Sequence, residues 1–375
     1  MAFRRHLALV WAFIVVAGLS GAASLACSDD DAVGSPTPVT TPASTPEPTA
    51  GVAPTGPVTF PVIAGRARGN IDVEAFMPAD IQVRVGDRIE WTAHGFEGHT
   101  VTFGDEDDVL ASIGPYLVPR PDLPAEMMFN PALSLPSAAQ GPVADDTTFI
   151  NSGFFGVPSE QTYSLTFDEE GLYTYLCLVH PFTMTGTVSV EPEGAPVDAP
   201  DAVAARGEAL FEAHAGELEV LAVEAREGAT VAPGPGSATT RYVQAGLITD
   251  HGQVAVYTPG KLEIAAGDTV IFQNDDRNFH NVIFKGDDEE LPPGINILPA
   301  ENGRLNFSLA QESAVAVDPP PEGFDATTFL SSGSMGVLQP RITWTLRFDT
   351  PGTYHYACTI HTLAGMVGVI EVRAP

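Results

Sequence analysis

Most of the chain consists of two similar sequence copies at an offset of 181 residues, and this internal repeat constrains the fold more than any other feature. Three pairs of segments carry it most clearly: FMPADIQVRVGDRIEW at 76–91 with YTPGKLEIAAGDTVIF at 257–272, HTVTF at 99–103 with HNVIF at 280–284, and YTYLCLVH at 173–180 with YHYACTIH at 354–361. A chain of 375 residues has room for two such units. We therefore expect two domains of the same fold.

Each copy has the pattern of β structure. Apolar and polar residues alternate over 81–85, a Gly-Asp turn signal stands at 86–87, and the alternation resumes over 88–91. Short strands at this spacing predict an all-β fold. We expect two tandem β-sandwiches, domain 1 over 61–192 and domain 2 over 240–375.

The segment between the two copies, 193–239, is predicted to be a linker that contains a short helix. Asp201 is a potential helix cap, and apolar residues recur on one helical face up to Leu218. The helix is therefore predicted over about 201–218. His214 lies on the apolar face, and we interpret it as a packed structural histidine.

The N-terminus has the composition of an export signal. Two arginines precede an apolar run over 7–19, and small residues follow up to Cys27. This resembles the lipobox of bacterial lipoproteins, in which the cysteine is acylated, although Ser24 stands where leucine is usual. Cleavage by an ordinary signal peptidase after Ala26 is the alternative.

We expect residues 1–26 to be removed as a signal peptide and Cys27 to be the lipidation site. The Pro/Thr-rich stretch 27–60 cannot bury a core and is predicted to be a disordered tether; a tail without a role is the alternative. The protein would then be exported to the cell surface or the periplasm, with this lipid anchor as its contact with the membrane.

The charge restricts the classes of partner. With 17 basic and 48 acidic residues, the formal net charge is −31. Such a surface repels nucleic-acid phosphates and anionic lipid headgroups. A basic partner, a neutral partner or a cation remains compatible.

Each copy also contains one histidine followed, 78 residues later, by a compact group of Cys, His and Met. The candidate metal ligands are His99, Cys177, His180 and Met184 in copy one, and His280, Cys358, His361 and Met366 in copy two. One thiolate and two imidazoles in a plane, with a weak axial thioether, make a type 1 blue-copper site. The pattern therefore predicts two copper ions, each cycling between Cu(I) and Cu(II).

Three other interpretations of these residues are open at this point. Cys177 and Cys358 could form a disulfide, as exported cysteines often do. They hold equivalent positions in two separate domains, however, so a disulfide would require an unusual docking of the domains. They could be buried thiols beside core histidines. Zinc could bind, although it seldom uses a thioether.

Both copies resemble cupredoxins of the plastocyanin and amicyanin type. The segment NFHNVIF at 278–284 is similar to the plastocyanin segment around its first copper histidine. The second copy has plastocyanin-like spacing from Cys358 to Met366, and CLVHPF at 177–182 resembles the amicyanin loop. The resemblance implies Greek-key sandwiches with copper at one end, and electron transfer as the task.

Several positions depart from the family pattern. Three residues separate His180 from Met184, whereas plastocyanin has four residues here and amicyanin has two. In addition, Thr100 stands at the position where the second copy has Asn281. In the family that asparagine ties the copper loops together, so the two sites are expected to differ in potential. Leu176 and Ala357 stand where plastocyanin has a tyrosine before its cysteine. Electrons would then pass through the solvent-facing edges of His180 and His361.

Each copy carries a Pro-rich insertion, at about 104–146 and 285–326, that has no counterpart in small cupredoxins. It follows the strand of the first histidine, so it is expected near the copper end. Covering the site or selecting a partner are possible roles, and inert decoration is the alternative.

Three functions compete. The first is an electron carrier acting with a redox partner protein, such as a cytochrome with a basic face. The second is a module for copper delivery or storage. The third, a two-domain copper oxidase or nitrite reductase, is disfavoured because no His-x-His pair occurs and neither cysteine has a histidine as its immediate neighbour in sequence. We therefore expect a protein that is not an enzyme.

Overall fold

A computed structural model describes residues 56–374, with gaps at 113, 158–159, 228–238, 287–289, 300–304, 318, 320–323, 325–326 and 337–340. The predicted signal peptide, the lipidation site Cys27 and most of the tether lie outside the described residues. None of the helices in the described ranges combines the length and the apolar character that a membrane span requires.

The described residues of the first copy form eleven strands and two short helices: β1 (Thr59–Arg68), β2 (Ile71–Met77), β3 (Asp80–Arg84), β4 (Arg88–His94), β5 (Thr102–Phe103), α1 (Glu106–Ser112), β6 (Leu117–Arg120), β7 (Leu123–Phe129), α2 (Pro131–Ser134), β8 (Ile150–Asn151), β9 (Gln161–Thr166), β10 (Gly171–Leu176) and β11 (Thr185–Glu191). A long helix, α3 (Pro200–Glu227), follows.

The described residues of the second copy form these elements: β12 (Thr240–Thr249), β13 (Gly252–Thr258), β14 (Lys261–Ala265), β15 (Asp268–Gln273), β16 (Ile283–Phe284), β17 (Ile295–Pro299), β18 (Leu305–Leu309), α4 (Gln311–Ala314), β19 (Ala316–Val317), β20 (Leu330–Ser332), β21 (Thr343–Phe348), β22 (Gly352–Ala357) and β23 (Val367–Arg373). The predicted all-β fold with tandem sandwiches is confirmed.

The Gly-Asp pairs are turns, as the sequence predicts. Gly86 has a φ of 86°, and the Asp87 carboxylate accepts backbone N–H groups from Arg84 and Val58, each at 2.9 Å. In the second copy the carboxylate of Asp268 accepts the corresponding bonds. Each aspartate therefore closes its turn and also holds the start of the domain's first strand.

The two sandwiches share a sheet. Eight strands run in the order β21-β15-β12-β13-β2-β1-β4-β9, so strands of both copies form one continuous layer. A five-stranded sheet, β3-β11-β10-β5-β8, covers one half, and a six-stranded sheet, β14-β23-β22-β16-β20-β19, covers the other. An aromatic and aliphatic core fills each half, around Trp91 in copy one and Phe272 in copy two.

The junction has pseudo-two-fold symmetry. Across β2 and β13, Ile71 pairs with Val254, Asp72 with Gln253 and Val73 with Gly252. At the repeat offset of 181, Ile71 corresponds to Gly252 and Val73 to Val254. Ile71 therefore pairs with the equivalent of Val73, and Val73 pairs with the equivalent of Ile71. This is the arrangement of an isologous dimer interface, here within one chain.

The two insertions also join. Strands β17-β18-β7-β6 form a four-stranded sheet in which Ser308 pairs with Met128 and Leu309 with Met127. The hydroxyl of Ser134 donates to Asn306 across the same boundary at 2.9 Å. The insertions therefore bridge the two domains.

Helix α3 is longer than predicted and is not a simple linker. The sequence pattern ends the helix at Leu218, but no Gly or Pro interrupts residues 219–227, and Ala222 and Ala225 extend the buried face. Phe211, which lies on this face, is buried in a cluster with residues of β1, β2 and β13. The helix thus covers the strands on both sides of the junction.

Candidate metal centres

The structure brings the predicted Cys and His residues of each copy together in a buried cluster. The sulfur of Cys177 lies 4.0 Å from His99 Nδ1 and 3.9 Å from His180 Nδ1. In the second copy, Cys358 Sγ lies 4.0 Å from His280 Nδ1 and 3.5 Å from His361 Nδ1. All six side chains are at most 2% exposed.

These separations suit three ligands around one metal ion. Metal–sulfur and metal–nitrogen bonds of about 2.3 and 2.0 Å at 120° place the two donors about 3.7 Å apart. Both cysteines are free, so the disulfide is excluded. The mixed thiolate and imidazole donor set fits copper.

The strands position the first histidine and the cysteine of each cluster. His99 exchanges backbone hydrogen bonds with Phe155, both at 3.1 Å, and His280 does the same with Met335. Cys177 and Cys358 come directly after β10 and β22, and the loops that follow carry His180 and His361. Residues far apart in sequence are thereby held together by strands of the same sandwich.

Two tight loops place the methionines beside the cysteines. The N–H of Cys177 donates to Met184 O at 2.9 Å, and that of Cys358 donates to Met366 O at 3.0 Å. The second loop is one residue longer, and Gly365, at a φ of 69°, allows the extra turn. Both methionine side chains are buried in the core that contains their cysteine.

Backbone N–H groups point at both sulfur atoms. Thr100 N lies 3.3 Å from Cys177 Sγ, and Asn281 N lies 3.5 Å from Cys358 Sγ. Such bonds stabilise a thiolate and tune a copper site. Burial acts to raise the pKa of the Cys177 thiol, but its contacts with His180 and His99 outweigh this effect and hold the pKa well below its usual value.

The replacement of asparagine by threonine at 100 leaves the link between the copper loops intact. Thr100 Oγ1 accepts the Leu178 N–H at 2.7 Å, as Asn281 Oδ1 accepts the Thr359 N–H at 2.9 Å. Asn281 also donates to Ser313 O, at 3.0 Å. The two loops are therefore tied in the same place by different side chains.

A glycine lies against the outer edge of each first histidine. A Cβ on Gly65 would stand 2.2 Å from His99 Nε2, and one on Gly246 would stand 2.1 Å from His280 Nε2. Both glycines have positive φ angles, 84° and 82°, at a register shift in β1 and β12. Sequence reasoning missed this pair, although the two positions are related by the repeat offset.

The other histidine of each site has no free edge. His180 and His361 are 2% and 0% exposed, so the expectation of solvent-facing edges is wrong. Their Nε2 atoms lie 2.9 and 3.0 Å from the two carboxylate oxygens of Glu97. The cause is the joining of the domains, which places the two histidine loops face to face. Glu97 was also missed, although Asn278 at the equivalent position marks it as a difference between the copies.

Opposing effects set the charge state of this contact. Burial acts to raise the pKa of Glu97, but hydrogen bonds from both histidines bring it well below its usual value. Burial lowers the pKa of His361, whereas the Cys358 sulfur and Glu97 raise it, to about 10 overall. Glu97 is therefore a carboxylate.

His214 and His251 form a separate pair on α3 and its neighbouring hairpin. Their rings stack with centroids 3.9 Å apart, and His251 Nδ1 lies 3.7 Å from Glu217 Oε2. His214 is partly exposed, and it packs against another histidine rather than in the core.

Comparison with known proteins decides the family. The profile of copper-binding proteins of the plastocyanin/azurin family matches residues 66–191 and 244–373. The chain belongs to the plastocyanin/azurin family. It contains two copper-binding domains, each with one His-Cys-His site.

Individual members of the plastocyanin/azurin family resemble part of the chain. A plastocyanin of Prochlorothrix hollandica is 32% identical over 37% of this chain and 77% of its own length. A plastocyanin of Vicia faba is 28% identical over 31% of this chain and 87% of its own. A solved mutant amicyanin in the reduced Cu(I) form is 25% identical over 40% of this chain and 95% of its own, with a TM-score of 0.20.

Proposed function

We propose that this protein is a one-electron carrier with a type 1 copper site in each domain. The observation that carries the proposal is the repeated, fully buried Cys-His-His cluster with a backbone N–H directed at its sulfur. The proposed ligands are His99, Cys177, His180 and Met184 in domain 1, and His280, Cys358, His361 and Met366 in domain 2.

Copper bound at such a site supplies a couple between Cu(I) and Cu(II). The chain holds its donors in place through β strands, the cysteine-to-methionine loop closure and the glycine behind each first histidine. Burial excludes water from the donors. A rigid, dry donor set can accept either oxidation state with little rearrangement, which is what fast electron transfer requires.

Burial also favours a carrier over a copper-delivery module, the alternative. Metal exchange with a partner needs a ligand that the partner can reach, but the histidines and cysteines are at most 2% exposed. Reversible electron transfer needs no such access.

A carrier role also accounts better than catalysis for the sequence. The chain has no His-x-His pair, and neither cysteine has a histidine as its immediate neighbour in sequence. Copper oxidases and nitrite reductases use such histidines for a further copper centre. We propose no catalytic residue.

We further propose that the protein works outside the cytoplasm, tethered through Cys27 by residues 27–60. Its partner would be a redox protein with a basic face, because the net charge of −31 attracts such a surface. The domain limits proposed are 61–192 and 240–375, with 193–239 between them.

Protein-film voltammetry with a copper assay tests the carrier role. The intact chain should contain two coppers and show reversible one-electron couples for both. Cys358→Ala should keep one copper and one couple, and Cys177→Ala should keep the other. A two-copper protein without a reversible couple would leave copper storage as the better description.

A further inference from the structure

Glu97 lies between the two candidate copper sites and contacts a ligand of each. Its Oε2 is 2.9 Å from Nε2 of His180 in domain 1, and its Oε1 is 3.0 Å from Nε2 of His361 in domain 2. The side chain is 14% exposed, so the contact is shielded from most solvent.

The chemistry of the two contacts is complementary. In both histidines Nδ1 faces the cysteine sulfur, which leaves Nε2 to carry the proton. Each Nε2–H therefore donates to one oxygen of the same carboxylate. Metal-bound histidines commonly donate their second N–H to a carboxylate, which orients the ring and tunes the metal. Here one carboxylate serves two rings.

The arrangement is not a copied feature of each domain. The position equivalent to Glu97 is Asn278, whose amide donates to Glu74 Oε1 at 2.8 Å. Glu74 approaches His180 at 3.7 Å, and no contact joins it to His361 among the interactions of the described residues. The shared contact is therefore specific to Glu97 and to the junction of the two domains.

We propose that Glu97 joins the two sites into one electron-exchanging pair, a proposal that rests on the function proposed above. With copper held by the ligands of both sites, one electron would pass between them along the continuous series His180, Glu97 and His361. One copper would then be oxidised as the other is reduced. Both Nε2 protons stay on their rings, and no further oxidant or reductant is consumed.

The shared negative charge also couples the two potentials. A carboxylate hydrogen-bonded to both ligand rings stabilises the more positive oxidation state at each site. Removal of that charge should raise both potentials. A role confined to packing at one site would move one potential or neither.

The first test needs no copper. In the NMR spectrum of the copper-free chain, the Nε2–H protons of His180 and His361 should both appear as strongly hydrogen-bonded signals. Glu97→Gln should shift both, because an amide offers one acceptor oxygen in place of two. Glu74→Gln, which removes a buried carboxyl but keeps the shared contact, should leave the His361 signal in place. An unshifted His361 signal in Glu97→Gln would refute the shared contact.

The second test uses the intact two-copper protein after a pulse of radiolytically generated reductant. Electron redistribution between the sites should be independent of protein concentration, and Glu97→Gln should slow it while raising both potentials. Glu74→Gln should keep the concentration-independent phase. Glu97→Asp keeps the charge but is too short to reach both rings, so it should slow exchange with smaller shifts in potential; it also serves if Glu97→Gln does not fold.

Failure of the two proposals can be distinguished. A chain without reversible copper couples overturns the carrier function itself. The other outcome is two reversible couples with electron redistribution that is as fast in both Glu97 variants as in the wild type, or that scales with protein concentration. It would overturn the exchange through Glu97 and leave the carrier function standing.

Discussion

Single residues at the two sites have roles that depend on very short distances. Gly65 illustrates this point, because its backbone packs on the Nε2 edge of His99 and its φ of 84° disfavours any side chain. A site that is closed by backbone tolerates no added atom at that place. The glycines therefore belong to the metal site as much as the ligands do.

Gly65→Ala should abolish or strongly weaken copper binding in domain 1 and spare domain 2, because the new Cβ would stand 2.2 Å from His99 Nε2. The matched control is Gly69→Ala, which has a φ of 64° and no atom within 4 Å of its Cβ. The control should cost only about 1–2 kcal/mol of backbone strain. Copper content per chain would decide: equal loss of copper in both variants contradicts this role.

A buried carboxyl at the junction gives the copper-free protein a pH-dependent stability. Burial raises the pKa of Asp72 from 3.8 to about 7. Between these values the folded chain binds more protons than the unfolded chain, so its free energy of unfolding falls as pH rises. The contribution is at most about 1.4 kcal/mol per pH unit. In denaturant unfolding from pH 4 to 8, the free energy of unfolding of Asp72→Asn should change less with pH than that of the wild type. Identical pH dependence in the two proteins would refute this contribution of Asp72.

At the scale of elements, helix α3 acts on both domains. Phe211 is 3% exposed and packs with Ile63, Val73 and Val254, which belong to strands on either side of the junction. Arg66 and Arg68 lie over its ring at 4.6 and 4.7 Å. The helix therefore stabilises the shared sheet rather than one sandwich.

Phe211→Ala should lower the free energy of unfolding by about 3–5 kcal/mol and should destabilise the two domains together. Val220→Ala on the same helix is a suitable control, because Val220 is 60% exposed. Denaturation followed by tryptophan fluorescence, from Trp91 in domain 1 and Trp344 in domain 2, reports on both halves. Two separate transitions, with one of them unchanged, would contradict the role of α3.

The elements also show what sequence can and cannot predict. The ligands were predictable because the repeat places His, Cys and Met in register twice, and the Gly-Asp turns because each carries a local signal. The C-terminal end of α3 was not predictable from the sequence, because Ala222 and Ala225 give only a weak apolar pattern. The burial of His180 and the contact of Glu97 depend on how two domains dock, which no local pattern in either copy encodes.

At the scale of the whole molecule, the two domains behave as an intramolecular dimer. The shared sheet, the sheet formed by the insertions and α3 all cross the boundary. All seven residues of β2 are buried, because β13 and α3 cover this strand. A strand edge of this kind is a site for association when it is uncovered.

Domain 1 alone, residues 56–192, should therefore associate or aggregate through the uncovered edge of β2. The two-domain protein should not associate in this way, because β13 already pairs with that edge. Sedimentation velocity of the fragment beside the intact protein checks the expectation. A monomeric fragment with the thermal stability of the intact protein would show that the domains are independent.

The measurement that tests the central claim most directly is a visible absorption titration of the intact protein with Cu(II). We predict an intense thiolate-to-copper charge-transfer band that rises until two coppers are bound, and saturation at one copper in Cys177→Ala and in Cys358→Ala. A protein that stays colourless with copper, or whose band vanishes entirely in either variant, would contradict two type 1 sites.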